Sequence, residues 1–379
     1  MTTTAYERLL RHSVVGVGPY VPGASAQETK ARLGRDDLIR LNWNENLFGP
    51  LPGVTEETAA GLADAWTYPE EACEEFRHAV AAWAGAEPAE VIPGHGIQAL
   101  TLALISAFVD PGDAVVVPRP TYGLYAQACV VAGAEVHRVD APRPSLAFDL
   151  KAIAQVAADV GAKLVWICDP NNPTGLRLHA GEWADFLDAL PGGCVAVADE
   201  AYVDYIEPAH RIDRLADIRA GRPVIVLRTF SKIFGLAGLR LGYLLVHASL
   251  APHVNAVQEP FNVNVAALSA GIASLARTEL LVARRDQVRA ARARLTEPLI
   301  GTGIRAIDSD ANFVLLELDA RDDLTVADTL ARDGLLVRPG TEFGLPGFIR
   351  VTTAGEAVMD RVAGKLLSRP PAGAGTRSA

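Results

Sequence analysis

Cysteine is scarce in this chain and unpaired in pattern. Cys73, Cys129, Cys168 and Cys194 are scattered through 379 positions with no C-x-x-C pair. That distribution excludes a disulfide frame or a cysteine zinc site and suits reduced thiols in a cytoplasmic protein. Positive charge is also short: 35 lysines and arginines stand against 45 acids, a formal net charge of −10. Such a balance argues against a general nucleic-acid binder but leaves room for a local cationic pocket. No run of about eighteen apolar residues occurs, and the opening "MTTTAYERLLRHSVVG" lacks the apolar stretch of a signal peptide, so neither a membrane span nor export is expected. Internal repeats are missing. So is a G-x-G-x-x-G after a first strand with an acid about twenty positions on, which disfavours a nicotinamide-dependent oxidoreductase.

What is present is an ordinary globular composition, half hydrophobic and 21% charged, long enough for one large domain or two smaller ones. From Val91 onward helical and strand-like patterns alternate. "IQALTLALISAFV" has helical spacing, "DPGD" ends it, and "AVVVP" follows as a buried strand. Helix "TYGLYAQACVVAGA", strand "EVHRV", a helix from about Leu150 to Val160, strand "KLVWICD", helix "AGEWADFLDAL" and strands "CVAVAD" and "PVIVLRTF" come next. Apolar strands without strict alternation, separated by helices, predict an α/β fold with a mostly parallel sheet covered on both faces. "VAALSAGIASLARTELLVARRDQVRAARARL" reads as one long helix, its charge rising toward the C-terminal end. Strand "NFVLLEL", helix "VADTLARD", strands "LLVRP" and "FIRVTTA", and a last helix to about Leu367 then predict a smaller α+β domain. The expected division is an N-terminal segment, 1–45, joining the small domain or bridging the two. A large domain, 46–262, a small domain, 263–367, and a disordered polar tail, 368–379, complete it.

Ligands of open parallel sheets bind outside the carboxyl ends of the strands. There the sequence releases "PNNPTG" after "KLVWICD", "DEAY" after "CVAVA" and "RTFSK" after "PVIVL", while "GHG" stands before the first helix. Each piece alone is ordinary: a tight turn, a turn tetrad, a helix cap, a surface lysine. Together they converge on Gly94-His95-Gly96, Asn172, Asp199 with Tyr202, and Ser231-Lys232. Pyridoxal phosphate suits each of them. Lys232 in an apolar setting has the depressed pKa that a Schiff-base lysine needs. Asp199 can pair with the pyridinium nitrogen, Asn172 and Tyr202 can hydrogen-bond the ring hydroxyl, and Tyr122 of "PRPTYGLY" can stack on the ring. The phosphate finds free N–H groups at "GHGIQAL", and Thr229, Ser231 and Arg240 offer hydroxyls and a cation.

The order "GHG … PTYGLY … PNNPTG … DEAY … TFSK … GLR" resembles the fold-type-I pyridoxal-phosphate-dependent aminotransferases. "PYVPG", "LNWNENLFGP", "WTYPE", "LLVRP" and "FIRVTTA" resemble the histidinol-phosphate aminotransferase-like branch in particular, and the likeness covers roughly residues 17–367. The resemblance implies that Lys232 carries the cofactor and shuttles the proton, with Asp199 on the ring nitrogen and Tyr202 and Asn172 on the 3′-oxygen. It also implies that Tyr122 stacks on the ring, and that Ser231, Arg240 and the His95–Gly96 amides hold the phosphate. Tyr68 would reach the phosphate of a neighbouring subunit, implying a homodimer with shared sites. Arg350 would bind the substrate carboxylate, bidentately as its fork favours, and Arg338 and Tyr20 would receive a substrate phosphate.

The chain departs from the family where "GHG" lacks the usual Ser or Ala followed by an acid or amide, and where "NENP" is "NENL" preceded by Trp43. His95 either adds a cation at low pH or points to solvent. Trp43 is a pocket wall or core packing, and Phe48 is expected in the core. The leading expectation is an aminotransferase passing an amino group between a histidinol-phosphate-like amine or amino acid and 2-oxoglutarate. The alternatives are an aromatic or specialised amino-acid aminotransferase, or a pyridoxal-phosphate decarboxylase or lyase of the same fold. A non-catalytic regulator would need a DNA-reading domain, for which no spare segment is seen. No metal site is expected.

Overall fold

The computed structural model describes residues 9–20 and 23–368; the expectation for the tail beyond Ser368 lies outside the described residues. Valine, leucine and isoleucine runs bounded by Gly, Pro and Asp form seven strands: β1 (Val91–Gly94), β2 (Ala114–Arg119), β3 (Glu135–Asp140), β4 (Leu164–Cys168), β5 (Val195–Asp199), β6 (Val224–Thr229) and β7 (Gly242–Leu245). They lie side by side in the order β1-β7-β6-β5-β4-β2-β3. Pairing is parallel from β3 to β6 and antiparallel at β7, which joins β6 to β1. The sequence reading missed β1 and β7. Both are only four residues long, and "VIPG" and "GYLL" lie beside the turn and loop motifs that drew attention there.

Away from the half-exposed edge strand β3, both faces of this sheet are dry, which explains the unbroken apolar strands. Val115, Val117, Leu164, Trp166 and Leu227 point to one side, under α1 (Gly96–Phe108) and α2 (Leu124–Ala132). Val116, Val165, Ile167, Ala198 and Val226 point to the other, under α3 (Leu150–Val160) and α4 (Ala180–Ala189). Each such buried side chain contributes about 1.5–3 kcal/mol relative to exposure.

The long helix expected at 265–295 is two: α5 (Val265–Leu275) and α6 (Leu281–Thr296), set 69° apart. Their faces have different destinations. Ala267, Ala270 and Ala273 of α5 enter the core of the large sheet, whereas α6 gives Leu281 and Val288 to that core and Ala291 and Leu295 to a second one. At the break Arg277 leaves helical geometry (φ −132°), donates to the Ala273 carbonyl at 2.7 Å and pairs with Glu57. Among the described residues no single helix is long and apolar enough to cross a membrane.

The second core lies against a four-stranded sheet, order β10-β11-β9-β8, of β8 (Arg305–Ala306), β9 (Phe313–Glu317), β10 (Arg338–Pro339) and β11 (Phe348–Thr352), with α7 (Asp323–Arg332) and α8 (Glu356–Leu367) packed on it. The run "LLVRP", expected as one strand, divides. Leu335–Leu336 pairs in parallel with Ile39–Arg40, and Arg338–Pro339 pairs antiparallel with Ile349 and Arg350. Buried Val337 separates the two ladders. The N-terminal segment touches both regions: Arg11 and Ser13 donate to carbonyls of α2, while Ile39–Arg40 joins the Leu335 ladder.

Candidate active site

At the topological switch between β2 and β4 the chain leaves in opposite directions, and Asn171 ties the two loops. It donates to the Pro120 carbonyl at 3.0 Å and accepts from the Thr121 hydroxyl at 2.9 Å. This seam turns Tyr122 and Asn172 toward a cavity of ≈ 470 Å³ outside the strand ends, a size suited to a small cofactor with substrate. Tyr122, Asn172, Asp199, Tyr202, Thr229, Ser231, Lys232, Arg240, Tyr20, Trp43, Arg338 and Arg350, all singled out in the sequence, line it. His95 and Tyr68 do not. His95 is exposed at the N-cap of α1, and Tyr68 is 81% exposed, stacked on Phe261 at 4.8 Å.

At one end of the cavity α1 begins without a side-chain cap, so its first N–H groups are left for a ligand. The glycine that makes this turn is Gly96 (φ +72°), not Gly94: a Cβ there would sit 3.0 Å from the Arg240 guanidinium. The two residues after it are therefore Ile97 and Gln98, both in the cavity wall. The amide lacking from "GHG" is supplied by Gln98, which accepts from Arg240 at 3.2 Å and donates to Tyr122 at 3.0 Å. Thr229 and Ser231 lie in hydrogen-bonded contact with each other. Arg240 itself holds a left-handed backbone (φ 56°), an uncommon posture for a side chain of its size.

The floor is the end of β5. Burial pushes the Asp199 carboxyl up to about 6, against hydrogen bonds from Tyr125 and the Ala201 N–H that favour its charged form. Lys232, just past the end of β6, donates among the described residues only to the Asn44 carbonyl, at 3.0 Å. Burial, and after it the Arg350 charge, bring its amine down to about 8. Behind the floor Arg214 bridges buried Asp169 (2.5 Å) and Glu200 (2.7 Å), and Arg228 adds a second contact to Glu200 at 2.7 Å.

The opposite wall comes from the small sheet and the N-terminal segment. Strand alternation sends Ile349 and Val351 into the second core and turns Arg350 to the other face. Arg350, 2% exposed, donates to Asn172 Oδ1 and the Asn42 carbonyl, each at 2.5 Å, and its Nε has no partner among the described residues. Arg338 stands directly across from it in the ladder, held by Glu342 at 3.2 Å. Asn44 donates to the Tyr202 hydroxyl at 3.1 Å, which leaves that phenol proton free to donate. Phe48 packs into the cores, as expected.

The fold has known counterparts. Residues 36–366 match the family model for aminotransferases of class I and II. The chain belongs to that family. It is 36% identical to the histidinol-phosphate aminotransferase of Moorella thermoacetica over 90% of this chain and 88% of that one, and 36% identical to the one of Symbiobacterium thermophilum over 90% and 93%. The crystal structure of the Sinorhizobium meliloti histidinol-phosphate aminotransferase with pyridoxal 5′-phosphate aligns with a TM-score of 0.84 at 27% identity, covering 92% of this chain and 95% of that chain. The protein is thus a fold-type-I, pyridoxal-phosphate-dependent transaminase of the histidinol-phosphate branch, working on small amino and oxo compounds.

The cavity fits that cofactor on its own terms. An uncapped helix start beside Arg240 and Ser231 suits the phosphate, an acid on the floor suits the ring nitrogen, and a half-buried amine with no carboxylate partner among the described residues suits the aldehyde. Tyr125, Asn44 and Gln98 escaped the sequence reading. Each lay inside a quoted motif ("PTYGLY", "LNWNEN", "GHGIQAL"). The spacing of Tyr125 one helical turn after Tyr122 was the one signal that the two share a face.

Proposed function

We propose that this aminotransferase is a cytoplasmic homodimer that moves an amino group between a histidinol-phosphate-like amine or amino acid and 2-oxoglutarate, with Lys232 as the residue that carries the cofactor. One observation bears most of this reading: a half-buried lysine and a buried arginine with no carboxylate partner among the described residues share one cavity. A guanidinium held this dry beside a second arginine costs energy until anions meet them. A 2-oxo acid or amino acid offers Arg350 a carboxylate for its fork. Arg338, with Tyr20 close by, is placed for a second anion at the far end of the substrate.

Bound pyridoxal phosphate supplies an aldehyde for attachment and a ring that accepts the electron pair released at the substrate carbon. The protein does the rest. Asp199 keeps the ring nitrogen protonated, and Asn172 and Tyr202 direct their N–H and O–H donors at the ring oxygen. The α1 N-terminus, Ser231, Thr229 and Arg240 fix the phosphate. Lys232, its amine brought down to about 8, would be the group whose Nζ accepts and returns the proton that the reaction moves. Tyr68 and Trp66, 81% and 84% exposed, form an aromatic surface suited to burial by a second subunit, and Tyr68 is read as reaching that subunit's phosphate.

A second reading, an aromatic substrate, is supported by the edge-on pair Tyr20 and Tyr122 (5.8 Å) beside Trp43 in the wall, and by Glu342, which already occupies Arg338. A panel of histidinol phosphate, aromatic amino acids and glutamate, each mixed alone with the holoenzyme, tests both. Conversion of the cofactor to its amine form by histidinol phosphate and by glutamate is expected. Conversion by aromatic amino acids without histidinol phosphate would move the assignment to the second reading.

A further inference from the structure

Beneath the cavity, outside the residues so far given roles toward the cofactor, a tyrosine holds the acid on the floor. We propose that Tyr125 is a positioning residue that fixes the direction and ionisation of Asp199 under the ring nitrogen of the cofactor. This rests on the reading of Asp199 given above.

The geometry is specific. Tyr125 is wholly buried, its ring stacked on Trp166 at 4.9 Å and 10° and set edge-on to Tyr122 at 5.3 Å. One edge-on ring and one parallel neighbour fix the Tyr125 ring, and its hydroxyl donates to Asp199 Oδ2. Asp199 Oδ1 is taken by the Ala201 N–H at 2.9 Å. Both oxygens are thus anchored, and the remaining lone pairs face the cavity. The other titratable groups around the acid do not substitute. Cys168, alongside it in the β4–β5 pairing, is a buried thiol whose pKa is pushed well up and which stays neutral. Glu200 next to it disfavours charge, and Lys232 is on the cavity side. Burial alone would favour the protonated carboxyl, which lacks the negative charge that keeps a ring nitrogen protonated. The Tyr125 hydroxyl opposes that.

Tyr125→Phe keeps the ring that packs on Trp166 and removes only the donor. With cofactor labelled with 15N in the ring, the resonance of that nitrogen in the Tyr125→Phe holoenzyme should move toward the neutral-pyridine position, and cofactor dissociation should rise by about tenfold, the range of a hydrogen bond to a charged group. Asp199→Asn is run beside it. If Asp199→Asn shifts the resonance and Tyr125→Phe does not, the role of Tyr125 is overturned while that of Asp199 stands. If neither shifts it, the reading of Asp199 falls, and this inference with it. Should the variant fail to retain cofactor, the Asp199 carboxyl is titrated by 13C NMR without it. A midpoint above that of the wild-type protein supports the role, and an unchanged midpoint overturns it.

Discussion

Floor and wall of the cavity are built in different ways. The floor grows from the ends of three adjacent strands, β4, β5 and β6, and its side chains find partners close by, on the strand ends or on helices packed against them: Tyr125 on Asp199, Ser231 on Thr229, Arg214 between Asp169 and Glu200. The wall is assembled from a two-residue strand, a short antiparallel strand and an N-terminal segment. Its arginines lean on main-chain carbonyls, an amide and a part-exposed acid. A satisfied floor suits a ligand that stays, and an under-satisfied wall suits one that comes and goes.

The strongest way to test the floor is at its reacting atom. Lys232→Ala should cut transamination by about 10³-fold or more while thermal unfolding stays near that of the parent, since the amine makes one hydrogen bond, to Asn44; steady-state rates and a melting curve check both. The scaffold beneath should respond in stability. Arg214→Met leaves buried Asp169 without its cation, while Glu200 keeps Arg228, and should cost about 3–5 kcal/mol in denaturant unfolding. The wall should respond in affinity alone. Arg350→Gln should raise KM for the oxo acid about 10- to 100-fold, the worth of a charge-assisted pair, while a cofactor titration remains unchanged. Loss of cofactor in that variant would erase the distinction between the two regions.

Acidity separates them more finely. The neutral fraction of Lys232 should rise about tenfold per pH unit up to its midpoint at about 8, seen as the rate at which cofactor-free protein takes up pyridoxal phosphate. Its folded pKa lies below the unfolded one, so the unfolded chain binds more protons and this group's contribution to stability rises with pH from about 8 to 10.5. Asp199 runs the other way. Its pKa is raised from 3.8 to about 6, and its contribution is lost as pH climbs through that window. The smallest effect belongs to the rim: Glu342→Gln frees Arg338 and should tighten binding of phosphate-bearing amines only about two- to fivefold, as befits a part-exposed pair.

The same contrast decided what could be read from the sequence. Floor residues follow apolar strands directly, so "DEAY" and "RTFSK" marked themselves by position. The wall depends on register. Nothing in "LLVRP" says that its two halves serve different ladders, and nothing in "LNWNEN" says that Asn44 reaches both Lys232 and Tyr202. The break at Arg277 was hidden because α5 and α6 are each regular, and only their partners differ. Tyr125 was hidden because a buried phenol in a helix looks like packing until the acid beneath it is seen.

The divided run 335–339 has a consequence for how this protein can change. Five consecutive residues sew Ile39–Arg40 to the small sheet on one side and Arg338 to Arg350 on the other. Inserting one residue there would reverse which side chains face inward, displacing Arg338 while Arg350, held by its ladder to Leu315, and Lys232 and Asp199 stay where they are. New substrates can therefore be sampled by slippage of a single seam, with the cofactor still in its seat.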